Sequence, residues 1–121
     1  MKFELTEPAE RDIAGILKQT LEMFGPVQVV AYGRIIEKGI ALIAEHPARP
    51  GSLDRSSIGS GVRLFHLELA AGKRGAAAHC LYYAKGRLSD GSNGTIVLRV
   101  LHERMEPRYR MVSSLKTFAA D

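Results

Sequence analysis

The residues best suited to chemistry lie near the end of the chain, where Arg99, His102 and Arg104 fall within one short segment. That segment follows the turn-forming pair Asn93-Gly94 and is rich in Ile, Val and Leu. A short run of such residues after a turn signal is typical of a buried β-strand. We therefore expect a central strand over residues 96–105 that ends in a charged corner. An arginine within it needs either an acidic partner or a function.

Strand alternation distributes the side chains of this segment over two faces. One face should carry Ile96, Leu98, Val100 and His102. The other face should carry Val97, Arg99 and Leu101. The strand is then apolar on both sides except at Arg99, which is the pattern of a strand that is covered on both faces.

Three histidines fall on different predicted strands and could converge on a zinc ion: His66, His79 and His102. Their spacing is not diagnostic, and no Asp or Glu is placed to complete such a site. The pattern is better explained if these histidines belong to the core or to its rim than if they bind zinc. We expect neither a metal nor a cofactor.

Arginines and tyrosines suggest two further functions. A metal-free nuclease would use cations to stabilise a pentacovalent phosphate and a His or Tyr to move a proton, and the residues available are Arg63, Arg99, Arg104, Tyr82 and Tyr83. Pairing of these arginines with acids such as Glu68 or Glu103 would make them structural instead. A basic and aromatic patch could grip an acidic protein or a nucleic acid, and it consists of Arg104, Met105, Arg108, Tyr109 and Arg110.

Composition limits the class of protein. The 121 residues are enough for one domain with its own core, and 45% of them are hydrophobic. No apolar run is long enough to span a membrane, and the acidic N-terminal residues do not fit a secretory signal, so we expect a cytoplasmic protein. The single cysteine, Cys80, fits a small core residue in a reducing compartment. The net charge of +4 favours acidic partners without choosing between protein and nucleic acid.

The elements that would position these residues are two helices and a sheet. After a short strand at residues 2–5, Thr6 predicts a helix N-cap, and an apolar stripe runs on until Gly25-Pro26 ends the helix. A second stripe over residues 27–45 predicts an antiparallel partner helix, in which Gly33 and Gly39 indicate close packing. Residues 47–61 are expected to form a flexible connector, and residues 62–69, 77–84 and 96–105 to form strands.

The predicted fold class is therefore α+β, with an N-terminal strand and a helical hairpin packed on a small antiparallel sheet. Residues 1–111 should form a single domain. Residues 112–121 have little pattern and are expected to be a disordered tail.

The order of several short motifs resembles that of the RelE/ParE superfamily of bacterial toxins, on its ParE side. The motifs are LTEPAERDIAGI at residues 5–16, EHP at 45–47, GSGVRLFHL at 59–67, HCLYYA at 79–84 and RVLHERM at 99–105. The resemblance covers about residues 2–110. It implies the toxin of a type II toxin–antitoxin (plasmid stabilisation) module that inhibits DNA gyrase, through the A subunit, and is neutralised by a ParD-like antitoxin in a hetero-oligomer.

Under this resemblance we expect target binding rather than catalysis. Ribonucleases of RelE type, which cut messenger RNA on the ribosome, usually carry an arginine near the point where this chain has His79-Cys80-Leu81. The expected target-binding residues are Arg63, Arg99, His102, Glu103, Arg104 and Arg108. A ribosome-dependent ribonuclease and an antitoxin-bound regulator without toxicity are the alternatives that the sequence leaves open.

Overall fold

The computed structural model describes residues 2–112, 114 and 115. The elements in chain order are β1 (Phe3–Leu5), α1 (Glu7–Phe24), α2 (Pro26–Glu45), β2 (Leu53–Asp54), β3 (Arg63–His66), α3 (Glu68–Ala71), β4 (His79–Arg87), β5 (Asn93–His102) and α4 (Pro107–Arg110). The strands form one sheet in the order β1-β5-β4-β3-β2. The predicted α+β class, with an N-terminal strand and a helical hairpin, is confirmed. The sheet is mixed, because β1 pairs with β5 in parallel while the other neighbours are antiparallel.

The helical hairpin begins and turns at the residues that the sequence indicates. Thr6 caps α1 by accepting a hydrogen bond from the backbone N–H of Ala9 at 3.1 Å. The same hydroxyl donates to the carbonyl of Leu98 at 2.8 Å, which ties the start of the helix to β5. Gly25 separates the two helices with a φ of 90°, a conformation that glycine adopts at no steric cost. Pro26 then starts α2.

Apolar side chains pack on both faces of the sheet. The larger cluster lies between the sheet and the hairpin and includes Ile36, Ile40, Ile43, Phe65, Leu81, Tyr83, Val97 and Val100. The second cluster lies on the opposite face and includes Val62, Cys80, Tyr82, Leu98, Leu101 and Met111. Side chains alternate between the two faces along β4, since Leu81 and Tyr83 belong to one cluster and Cys80 and Tyr82 to the other. None of the helices in the described residues could cross a membrane, because none combines the necessary length and apolarity.

The predicted strand over residues 62–69 is wrong in its second half. The strand ends at His66, and one turn of helix, α3, follows and is closed by Gly72. The helical turn places Leu67 and Ala70, both buried, against α2. A Cβ added to Gly39 would lie 2.4 Å from Cδ2 of Leu67, so this glycine is required by close packing, as expected. A Cβ on Gly33 would meet only Leu17, at 3.9 Å, so the same expectation is wrong there.

The connector over residues 47–61 is not the structureless segment that its composition predicts. It contains β2, whose two residues pair with Arg63 and Leu64 of β3. The backbone N–H of Arg55 donates to the carbonyl of Val62 at 2.8 Å and closes the turn between the two strands. The hydroxyl of Tyr83 donates to the carbonyl of Pro47 at 2.6 Å, which holds the start of the connector on the core.

The central strand differs from its prediction in its bounds and in which of its side chains lie on each face of the sheet. It runs from Asn93 to His102 and turns there, because Met105 donates its backbone N–H to the carbonyl of His102 at 2.9 Å. A β-bulge interrupts its pairing with β4: Tyr82 lies opposite Arg99, whereas Tyr83 lies opposite Val97, so Leu98 is an extra residue. Val100 and His102 consequently lie on the hairpin face and not with Leu98.

The segment after α4 continues along the sheet as far as it is described. Ser114 is fully buried and donates its hydroxyl to the carbonyl of Leu98 at 2.9 Å. Leu115 packs against the second apolar cluster. Of the tail predicted from Val112 onward, residues 113 and 116–121 lie outside the described residues.

Candidate functional site

The arginine of the central strand has an acidic partner on the first helix. Arg99 donates from Nε to Oδ2 of Asp12 at 2.6 Å and from Nη2 to Oδ1 at 2.7 Å, a bidentate pair. The two side chains retain 17% and 13% of their exposure. Hydrogen bonding to Asp12 raises the pKa of Arg99 above its ordinary value and outweighs desolvation, which acts in the opposite direction. Arg99 is therefore a positive charge that the fold holds in place.

Asp12 also serves the backbone of β5, because its Oδ2 accepts the N–H of Val100 at 2.9 Å. Arg99 in turn donates from Nη1 to the carbonyl of Arg110. One carboxylate thus joins α1 to the sheet, and its arginine joins the sheet to α4. Sequence reasoning missed Asp12. The available signal was its position on the buried side of an amphipathic helix, one turn before Ile16, where an acid requires a cationic partner.

Two of the three histidines meet at the end of the sheet. His79 and His102 are paired residues of β4 and β5, with ring centroids 5.5 Å apart and ring planes at 86°. His79 also bonds through Nδ1 to the hydroxyl of Tyr32 on α2 at 2.6 Å. His66 belongs elsewhere: its Nε2 lies 3.5 Å from Oε2 of Glu103. The convergence of all three on one point does not occur.

Arg63 lies apart from the other predicted site residues. It pairs with Tyr83, four residues along β4 from His79, which corresponds to about 13 Å at 3.3 Å per residue. Its guanidinium donates to the Ser52 hydroxyl, from Nε at 3.0 Å and from Nη2 at 2.6 Å. These bonds fasten the connector to the edge of the sheet. Arg63 therefore does not belong to the corner at His102, and its contact with a target stays a prediction.

The corner itself presents charged side chains to solvent. Glu103 donates its backbone N–H to the carbonyl of Ala78 at 2.8 Å, and Arg104 donates its own to Nδ1 of His102 at 3.1 Å, so the backbone of the turn is fixed. The side chains of Glu103, Arg104 and Arg108 are exposed. Tyr109, beside Arg108 on α4, is 85% exposed. The structure thus brings His102, Glu103, Arg104 and Arg108 to one end of the molecule.

A cleft opens between α1 and this corner. It has a volume of about 430 Å³, and its polar walls are formed by Arg11, Gln19, His79, Arg99, His102 and Arg110. A neighbouring cleft of about 600 Å³ shares His79 and is bounded by Thr20, Phe24, Tyr32 and the segment 75–78. Neither cleft is evident from the sequence, because each forms between elements distant along the chain.

The hairpin carries a third concave surface, and it is apolar. This groove has a volume of about 440 Å³ and is lined by Phe3, Leu5, Ile13, Leu17, Ile36 and Ile40. The end of the hairpin is apolar as well, since Met23, Phe24 and Val27 are 63%, 65% and 79% exposed. Apolar area of this kind on a small domain marks a binding surface.

Comparison with known proteins identifies the family. A family model described as "ParE toxin of type II toxin-antitoxin system, parDE" matches residues 3–107. Toxin ParE of Escherichia coli is 30% identical over 116 residues, which cover 94% of this chain and 96% of that protein. The resemblance carried by the motifs from residue 5 to residue 105 is confirmed. The chain belongs to the ParE family of toxins of type II toxin–antitoxin systems.

Proposed function

We propose that this toxin acts in the cytoplasm by binding DNA gyrase, through the A subunit, and that a ParD-like antitoxin neutralises it in a hetero-oligomer. The observation that carries the proposal is the match to the ParE family over residues 3–107, nearly the whole chain. The match includes the charged corner at the end of β5. A protein that acts by binding needs exposed side chains on a defined backbone, and in this corner the side chains are exposed while the backbone of the turn is hydrogen-bonded.

The side chains that would contact gyrase are those of the corner. Arg104 and Arg108 are exposed, and within residues 2–112 neither forms an ion pair. Tyr109 beside them supplies the exposed aromatic surface that is common in binding hot spots. Arg99, held by Asp12, would support the corner from behind and keep α4 in position through the carbonyl of Arg110.

Binding accounts for this corner better than catalysis does. A RelE-type ribonuclease would be expected to carry an arginine near His79, and the residues there are His79, Cys80 and Leu81, of which the last two are buried. Burial raises the pKa of the Cys80 thiol to about 11, so it is not a nucleophile at neutral pH. The arginine nearest to this point on β5 is Arg99, which already donates to Asp12 through Nε and Nη2 and to the carbonyl of Arg110 through Nη1.

The antitoxin would occupy the apolar groove of the hairpin. An amphipathic segment fits such a groove with its apolar side, and acidic residues on its other side suit a toxin with a net charge of +4. Phe3, 46% exposed, lies in the groove on the edge strand β1. Substitution F3K should therefore weaken capture by the co-expressed antitoxin, whereas V27K at the end of the hairpin should not.

The decisive experiment compares two targets with the same purified toxin. Supercoiling and DNA-cleavage assays with gyrase are run beside a ribosome-dependent messenger cleavage assay. We expect stabilised gyrase–DNA cleavage and intact messenger. R104A should reduce the gyrase effect, while R34A, which removes an exposed arginine of α2, should leave it unchanged. Cut messenger with unaffected gyrase would refute the proposal in favour of a RelE-type ribonuclease.

A further inference from the structure

We propose that the cleft between α1 and the end of β5 binds the phosphate group of a nucleoside phosphate. The group could belong to a free nucleotide or to a strand of nucleic acid, and the chemistry recognised is the same in both. The cleft is the one of about 430 Å³ that Arg11, His79, Arg99, His102 and Arg110 line. The inference is independent of the gyrase target, which the exposed corner would contact.

The hydrogen bonds around His79 determine which of its ring nitrogens carries the proton. The Tyr32 oxygen accepts the backbone N–H of Ala78 at 3.2 Å, so the hydroxyl hydrogen is available for Nδ1 of His79, 2.6 Å away. With the Tyr32 hydroxyl as the donor of this bond, Nδ1 is the acceptor and the neutral ring carries its proton on Nε2. Burial, followed by the nearby His102, holds the pKa of His79 below its ordinary value, so the ring is neutral at pH 7.

His102 is held in the same tautomer by a different donor. Its Nδ1 accepts the backbone N–H of Arg104 at 3.1 Å, and because a backbone amide can only donate, that nitrogen is unprotonated. Nε2 therefore carries the hydrogen in the neutral ring. Both rings line the cleft, and Nε2–H is the group that each has left for a ligand. A metal ion would bind the Nε2 lone pair, which requires the proton of each ring to move to Nδ1 and so breaks both hydrogen bonds that Nδ1 accepts. An oxyanion instead accepts the two Nε2–H groups without any such change.

The charges of the cleft also favour an anion. Among the residues that the structure describes, three arginines line it against a single carboxylate, that of Asp12, which is already bound to Arg99. The exposed Arg11 has only a 3.6 Å contact with Glu7, whose side chain is 80% exposed, and its guanidinium can turn to a ligand at little cost. Guanidinium groups match the oxygens of a phosphate in geometry as well as in charge.

The neighbouring cleft indicates what the phosphate is attached to. It adjoins the first at His79 and has a volume of about 600 Å³, and its walls include Phe24, Tyr32 and Ala77. Thr20 and Gln28 add hydrogen-bonding groups to this otherwise apolar wall. An aromatic and apolar hollow with a few polar groups is suited to a nucleobase. A ligand with its base there would place its phosphate among the histidines.

Binding is tested on the intact toxin by titration with adenosine 5′-monophosphate and with a labelled single-stranded oligonucleotide. We expect both to bind, and R11A and H102A each to weaken binding by about tenfold or more, the effect of one lost charged or donor contact. K18A removes an exposed lysine from α1 and is the charge-matched control, for which no change is expected. An oligonucleotide that binds at least about tenfold more tightly than the mononucleotide would assign the site to nucleic acid, and equal affinities would assign it to a free nucleotide.

Two results would overturn the proposal. The first comes from the titrations: neither probe binds, or K18A weakens binding as much as R11A does. Equal effects of K18A and R11A would mean that the probes are attracted to a basic protein in general and not to the cleft. The other is spectroscopic and needs no ligand: nitrogen-15 NMR of the imidazoles should find His79 and His102 protonated on Nε2 at pH 7.5. A proton on Nδ1 of either ring would remove the donor on which the site depends. Neither result bears on inhibition of gyrase.

Discussion

Replacement of Asp12 by alanine should destabilise the fold by about 3–5 kcal/mol, which is the effect of removing one member of a buried ion pair. The structure gives the reason for a value at this level. The carboxylate accepts two bonds from Arg99, at 2.6 and 2.7 Å, and one from the N–H of Val100 at 2.9 Å. Its loss leaves the N–H of Val100 without this acceptor, and leaves a cation with 17% side-chain exposure that keeps only its bond to the carbonyl of Arg110. For a domain of this size the melting temperature should fall by roughly 10–20 °C.

Unfolding by urea, followed by far-ultraviolet circular dichroism, measures this change. R11A is the matched control, since it removes an ion pair one residue away on the same helix whose side chains are 70% and 80% exposed. That pair should contribute about 0.3–0.5 kcal/mol at most. If D12A shifted the urea midpoint no more than R11A does, the pair between Asp12 and Arg99 would not be buried and the reasoning would fail.

A double-mutant cycle separates the ion pair from the other contacts of the two side chains. R99M leaves a buried carboxylate that retains only the N–H of Val100, so it should be costly by itself. The double variant D12A/R99M leaves no buried charge and should cost less than the sum of the two single changes by about 2 kcal/mol or more. Strict additivity would mean that the two residues do not interact.

Three further experiments test other parts of the structure. Because burial raises the pKa of Cys80 from 9.0 to about 11, iodoacetamide should alkylate the folded protein about a hundredfold more slowly at pH 8 than the urea-unfolded chain, and equal rates would contradict the burial. G39A should lose about 1–3 kcal/mol in urea unfolding, because its Cβ would lie 2.4 Å from Leu67, whereas G33A should be neutral or stabilising. Burial lowers the pKa of His79 from 6.5, so the unfolded state binds more protons below that pH and stability falls on acidification. H79Q should flatten this slope at and below pH 6.5, and an unchanged slope would show that His79 is not its source.

The helical hairpin and β4 could be predicted because their signals are local. Thr6 and Gly25 mark the start and end of α1 with side-chain and backbone properties of their own. The apolar stripe of α1, which includes Ile13 and Leu17, needs an apolar surface to pack against. The helix that follows directly in the chain, α2, supplies that surface. The alternation of β4 survives because every residue from His79 to Tyr82 has a regular neighbour on β5.

Other elements could not be predicted because their signals depend on distant residues. Leu67 and Ala70 form a helical turn only because Gly39 leaves room for them on α2, and four residues are too few to show a helical period. Asp12 and Arg99 are 87 residues apart, so no local pattern joins them. The clefts beside His79 have the same origin, since their walls come from α1, α2, β4 and β5 together.

The bulge at Leu98 determines which side chains the end of β5 places on each face of the sheet. Without it, Val100 and His102 would share the face of Leu98 and lie against Met111, on the side of the sheet away from the hairpin. The extra residue reverses the order of faces, so Val100 enters the main core and His102 comes to lie beside His79. At the same point, Arg99 reaches Asp12 on α1 and the carbonyl of Arg110. Deletion of Leu98 would remove the extra residue together with the bulge, so it should leave His102 opposite His79 and Val100 on its present face. Contacts between the two imidazole rings should therefore persist in NMR spectra of the deletion variant, and their loss would refute this interpretation of the bulge.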